Sequence, residues 1–204
     1  MDASDIDYVL IDPPGNFEAI LNLSKWRGSF DWANQRENVR KKTSNVVVGR
    51  RFRPNSKNTH HFAFYSENGI LSPHTFKLIR FRDPIEAKIQ TLILNSTLTM
   101  SNILSFREQT TGGFTDIMES ELVLFDIFDV SALNAEAKTK LLNLFNDLCN
   151  KELPSILDQY VSSNEMRVNL DIGILSVLGF SDEEARKILF PLYEAIIDEM
   201  KVKG

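Results

Sequence analysis

Cysteine is nearly absent from this chain of 204 residues: Cys149 stands alone. One thiol cannot close a disulfide within the chain, and a zinc site of the usual Cys/His type lacks its ligands. Set in a helical pattern, Cys149 reads as a small buried apolar residue. Long apolar runs are missing too; none approaches the ~20 residues that span a bilayer. The opening residues, MDASDIDYVLID, are acidic where a signal peptide is basic. A soluble, cytoplasmic protein without membrane contact is the expectation. The usual signatures of catalysis are also lacking. Gly112-Gly113 has neither GxGxxG nor P-loop spacing, no serine stands in GxSxG, and the carboxylates of the C-terminal half are spaced as on solvated helix faces. Histidine is scarce, and two of the three, His60 and His61, are adjacent. Neighbours in a strand point to opposite faces, which argues against a metal pair.

What is present is charge, unevenly placed. The chain nets −5, yet residues 25–88 hold fourteen bases against five acids. The 24 residues before them carry five acids and no base, and residues 89–204 carry eighteen acids against nine bases. A concentrated positive field attracts polyanions, of which nucleic acid is the commonest. A hydrophobic fraction of 43% is ordinary for a globular protein and allows a core.

Residues 8–11 (YVLI) predict a short strand stopped by Asp12-Pro13-Pro14-Gly15, with a short helix through Phe17, Ile20 and Leu21. From Trp26 to Arg82 the pattern is β-like: Val46-Val47-Val48 is β-branched and residues 61–65 (HFAFY) alternate. Residues 75–82 alternate as well, directing Phe76, Leu78 or Ile79, and Phe81 inward, and Lys77, Arg80 and Arg82 outward. At Pro84 the period changes. Ile85, Ile89, Leu92 and Ile93 mark a helix face that Asn95-Ser96 ends, and residues 98–106 predict a second helix. Residues 131–162 read as one long amphipathic helix, kinked or broken at Pro154, with Leu133, Ala137, Leu141, Leu144, Leu148 and Leu153 in a stripe. Residues 170–178 and 181–202 read as two closing helices, with Gly179 a terminator and Ser181 with Glu184 a capping box. The expected class is α+β, a basic β-rich recognition subdomain followed by an acidic helical C-terminal part. Its expected division is a strand/helix lead-in over 1–24, a β-rich subdomain with two embedded helices over 25–130, and a helical support over 131–204.

Two segments invite a chemical reading. The Asp12-Pro13-Pro14 loop after a strand has the look of the loop with which amino-methyltransferases hold a flipped base. Gly15 stands where that loop carries an aromatic, and seven preceding residues are too few for a cofactor-binding half. A strand-ending turn is the better reading. Residues 50–61, Arg-Arg-Phe-Arg-Pro-Asn-Ser-Lys-Asn-Thr-His-His, gather the types that grip phosphates and read base edges, with Phe52, Phe62, Phe64 and Tyr65 interleaved. The competing reading is a solvated basic hairpin over core aromatics.

In order along the chain, these motifs resemble a known family. Arg50-Arg51 precede a loop, Leu71-Ser72-Pro73-His74-Thr75-Phe76 follows, and a helix ends in Leu94-Asn95-Ser96. Gly112-Gly113 leads to residues 122–129 (LVLFDIFD), where Phe128 replaces the usual proline; Asn169-Leu170-Asp171, Leu178-Gly179 and Leu192-Tyr193-Glu194 close the series. Over residues 43–200 the chain resembles the C-terminal target-recognition region of N6-adenine DNA methyltransferases of restriction–modification systems. The resemblance implies a sequence-specific specificity domain that binds double-stranded DNA and works with a methyltransferase catalytic domain or subunit. It implies no catalysis, cofactor or metal in this chain. The candidate DNA contacts are Arg50, Arg51, Arg53, Lys57, His60 and His61, with Lys41 and Lys42 on the phosphates and Thr110 and Thr111 as a second approach. Arg80 and Arg82 stand as contacts or as structural residues. The alternative is a protein-interaction module docking a partner subunit through the acidic helices of 131–162 and 181–202.

Overall fold

The computed structural model describes residues 43–70, 76–106, 108–109, 114–117 and 129–202. The lead-in strand and helix, the Asp12-Pro13-Pro14 turn, the basic flank with Lys41 and Lys42, the 71–75 motif, Thr110 and Thr111, and residues 122–128 lie outside the described residues.

Strands come first. β1 (Ser44–Gly49), β2 (Arg51–Phe52), β3 (Ala63–Ile70) and β4 (Phe76–Ile79) precede α1 (Pro84–Leu94) and α2 (Thr97–Phe106). Two short strands, β5 (Glu108–Gln109) and β6 (Thr115–Asp116), follow, then a 3-10 turn (Val130–Ala132) and α3 (Ala135–Leu148), α4 (Ile156–Val161), α5 (Glu165–Val177) and α6 (Asp182–Val202). This is a mixed α+β chain with antiparallel sheets, β3-β1-β4 and β2-β6-β5.

β1 is central and covered on both faces, so its valines run on instead of alternating with polar residues. Val46 and Val48 enter the main core, while Val47 packs with Phe64, Ile70 and Phe76 in a second cluster. In register, Val47 faces Phe64 on one side and Leu78 on the other. β3 buries Ala63 through Ser66 without a break, so the expected alternation of 61–65 gives way to burial on both faces. At the edge, β4 keeps Phe76 inside but leaves Leu78 37% exposed, and it is Ile79 that is half-buried.

α1 starts where Asp83 accepts the Ile85 amide at 2.8 Å, with Pro84 in the first turn where its missing N–H costs nothing. Its stripe differs from the expected one at Ile85, which lies exposed; Ala87, Ile89, Leu92 and Ile93 are buried. The 131–162 helix is in fact three pieces. The chain leaves α3 at Cys149, buries Leu153 in an extended stretch, and restarts at α4 with Ser155 as N-cap. Pro154 supplies no amide and pushes Leu153 away from helical backbone, so the break is wider than a kink. α5 begins earlier than expected, at Glu165, because Asn164 caps it by accepting from Met166 and Arg167 amides.

α1 packs on β1 and β3 and on α3; α3 packs on α5, and α6 packs on α2, α4 and α5. One apolar core therefore runs from Val46 and Phe62 through Leu92 and Leu141 to Leu189 and Met200. Among the described residues no helix is long and apolar enough to cross a membrane.

Candidate nucleic-acid interface

Residues 50–61 leave the β1–β3 pair as an excursion, closed at its base where the Gly49 amide donates to the Phe62 carbonyl at 2.8 Å. The outgoing limb is β2. It pairs with β6, Arg51 opposite Asp116 and Phe52 opposite Thr115, and the Ile117 amide donates to the Arg50 carbonyl at 2.9 Å. The tip turns on the Ser56 amide bonded to the Arg53 carbonyl (3.1 Å) and the Thr59 amide bonded to the Ser56 carbonyl (3.2 Å). Asn55 reaches the Met200 carbonyl at 3.4 Å.

The three arginines differ in their partners. Arg51 and Arg53 share a side and are exposed, their guanidinium carbons 4.9 and 4.2 Å from the centroid of the same Phe114 ring. Two cations held on one aromatic ring form a compact positive feature whose geometry is partly set in advance. Arg50 instead ion-pairs with Asp116, the residue opposite Arg51, at 3.2 Å, half-buried and locally neutralised. Lys57 stands exposed on the turn. Phe52, Phe62, Phe64 and Tyr65 are all buried, as the inward-facing aromatic scaffold requires.

The two histidines part company. His60 is half-buried and its Nδ1 donates to the Leu153 carbonyl at 2.9 Å, which fixes the hydrogen on that nitrogen. His61 is inside, 4% exposed, edge-on to Phe64 with its Nε2 unpartnered among the described residues. It is therefore removed from the candidate contacts: successive side chains diverge, and the outward position goes to His60. Burial, then the neighbouring His60 and Arg167, lower its pKa to about 3, so it is neutral at ordinary pH. Arg80 uses its guanidinium on the Thr43 carbonyl, a structural tie, whereas Arg82 is exposed.

What residue types alone did not reveal is the buried polar set behind this loop. Gln159 donates from Nε2 to the His60 and Pro154 carbonyls at 2.9 and 2.8 Å. Its Oε1 accepts from Arg167 Nε and Nη2 at 3.1 and 2.6 Å. Arg167 Nη1 donates to the Asn95 carbonyl at 2.5 Å and lies 3.7 Å from Asp171. Asn95 accepts from the Phe62 and Ala63 amides at 2.9 and 3.1 Å and donates to the Ala63 carbonyl at 2.8 Å, acting as a strand would. Asp171 accepts from the Thr97 amide and hydroxyl and from the Tyr193 hydroxyl, at 2.8, 2.5 and 2.7 Å. Burial first, then the Asp171 carboxylate, push the Tyr193 phenol well above its ordinary range, so it remains a donor. The available signal was the Arg167–Asp171 spacing of four, which places two opposite charges on the helix face that also carries Ile174.

No protein-family model, no curated protein and no solved structure matches the chain.

Proposed function

We propose that the chain is a DNA target-recognition domain serving an N6-adenine methyltransferase of a restriction–modification system. It binds double-stranded DNA and leaves methyl transfer to a separate catalytic domain or subunit. The observation that carries this reading is the exposed pair Arg51 and Arg53 on the Phe114 ring, with Lys57 on the adjoining turn. Guanidinium groups match phosphate and guanine edges bidentately, and a ring beneath them limits the side-chain entropy lost on contact. Arg50, already paired with Asp116, supports the loop in place of gripping the duplex.

The test is a titration of a mixed-sequence duplex across a salt series. Arg51→Ala and Arg53→Ala are each expected to weaken binding and to reduce the slope of log affinity against log salt by about 1. An unchanged slope rejects the assignment of that arginine, and no binding by the wild type at low salt rejects the reading.

The partner-docking alternative has one observation in its favour. Leu178, Phe180, Ile188 and Phe190 are exposed apolar residues beside the acidic start of α6. Ile188 and Phe190, however, are two positions apart and so lie about 200° around the helix from each other. They flank the buried Ala185–Leu189–Tyr193 stripe on opposite sides, which divides the apolar surface that a partner would need.

A further inference from the structure

We propose that Gln159 is a positioning residue for the basic loop, holding residues 50–61 in their binding shape from inside the protein. The proposal rests on the DNA-binding reading and assigns it a built-in brace. A loop of this length between two strands gains little order from its own turns, and a loop that orders only on contact loses affinity to that ordering. Here the return limb is gripped at three closely spaced residues. Gln159 holds the His60 carbonyl, and Asn95 holds the Phe62 and Ala63 amides and the Ala63 carbonyl. Arg167 ties the two grips together, bonding Gln159 Oε1 on one side and the Asn95 carbonyl on the other. Next to them the Ile156 amide donates to the Thr59 carbonyl at 2.7 Å. All three side chains are buried and too deep to touch a duplex: Asn95 is 6%, Gln159 0% and Arg167 4% exposed.

Gln159→Glu separates bracing from bulk. The glutamate keeps an oxygen for Arg167 but replaces the amide that donates to the His60 and Pro154 carbonyls with a second acceptor. The variant is compared with the wild type by duplex titration over a salt series and by amide hydrogen exchange. Expected are an affinity lower by about tenfold, from a smaller binding-competent fraction, a salt slope like the wild type's, and faster exchange in 50–61 with α5 and α6 unchanged. A folded variant with wild-type exchange in 50–61 overturns the proposal, and so does faster exchange with unchanged affinity. If the wild type binds no duplex, the DNA reading falls, and exchange in 50–61 still decides whether the brace exists. If the variant does not fold, the wild type decides: the Phe62, Ala63 and Ile156 amides are expected to exchange as slowly as the core of α5, and rapid exchange overturns the brace.

Discussion

Two buried side chains carry the clearest single-residue consequences. His61 is neutral in the fold, its pKa lowered to about 3 by burial, His60 and Arg167, against an ordinary value of about 6.5. Between those values the unfolded chain takes up a proton that the folded chain does not. Stability is therefore full above pH ~6.5 and falls as the pH drops, by about 1.4 kcal/mol per unit for one proton. Urea midpoints measured downward from neutral pH are expected to show this fall in the wild type and a shallower one in His61→Gln; parallel curves would place the proton uptake elsewhere. Tyr193 is the second case. Tyr193→Phe removes one of the two hydroxyl donors on Asp171 Oδ2, in a carboxylate 2% exposed, and leaves that oxygen with Thr97 alone. The expected loss is about 1–3 kcal/mol of unfolding free energy, read from urea denaturation. Asp171 and Tyr193 also belong to the closing motifs Asn169-Leu170-Asp171 and Leu192-Tyr193-Glu194. Their part here is to bolt α5 to α6 and, through Thr97, to α2, so these motifs speak of fold more than of contact with DNA.

At the scale of elements, what the sequence made legible is local chemistry. Pro84 marks the start of α1, Asn95-Ser96 its end, and Ser181 with Glu184 the start of α6, where the Ser181 amide donates to the Glu184 carboxylate at 2.9 Å. Gly179 stops α5 through a pair of bonds, its own amide to the Ser176 carbonyl and the Phe180 amide to the Leu175 carbonyl, at 3.1 and 3.2 Å. It takes φ +93°, with no atom within 4 Å of where a Cβ would stand. Gly179→Ala therefore meets a backbone penalty and no clash, and is expected to cost about 1 kcal/mol in a thermal or urea melt. A neutral result would mean that the turn relaxes. Less legible was whatever depends on a distant partner. The gap between α3 and α4 follows from Leu153 being drawn into the core, and the opposed fates of His60 and His61 follow from Leu153 and Phe64 lying on either side. Periodicity reports a face; it does not report which neighbour will occupy it. For the same reason Arg51, Arg53 and Lys57 were identifiable as a basic group, while the ring that gathers the two arginines, Phe114, lies 61 positions beyond Arg53 and was not.

For the whole molecule, charge and core divide differently. The net positive charge lies in the β-rich half, yet the apolar core crosses from β1 to α6 without interruption, and the polar set at its centre draws on both halves. Arg167 needs the Asn95 carbonyl, and Asp171 needs Thr97. A fragment of residues 131–204 alone would present Arg167 and Asp171 with those partners removed, and would strip α3 of α1 and α6 of α2, whose apolar residues share one cluster with Leu141 and Tyr193. Breaking a buried charged set by removing partners costs several kcal/mol, comparable to the whole stability of a domain this small. The fragment is accordingly expected to lack a cooperative melt by circular dichroism and to exchange its amides freely, while the full chain melts in one transition. A fragment that melts sharply by itself would show that the helices form an independent unit, and the basic loop would then be braced from a neighbouring body instead of from its own core.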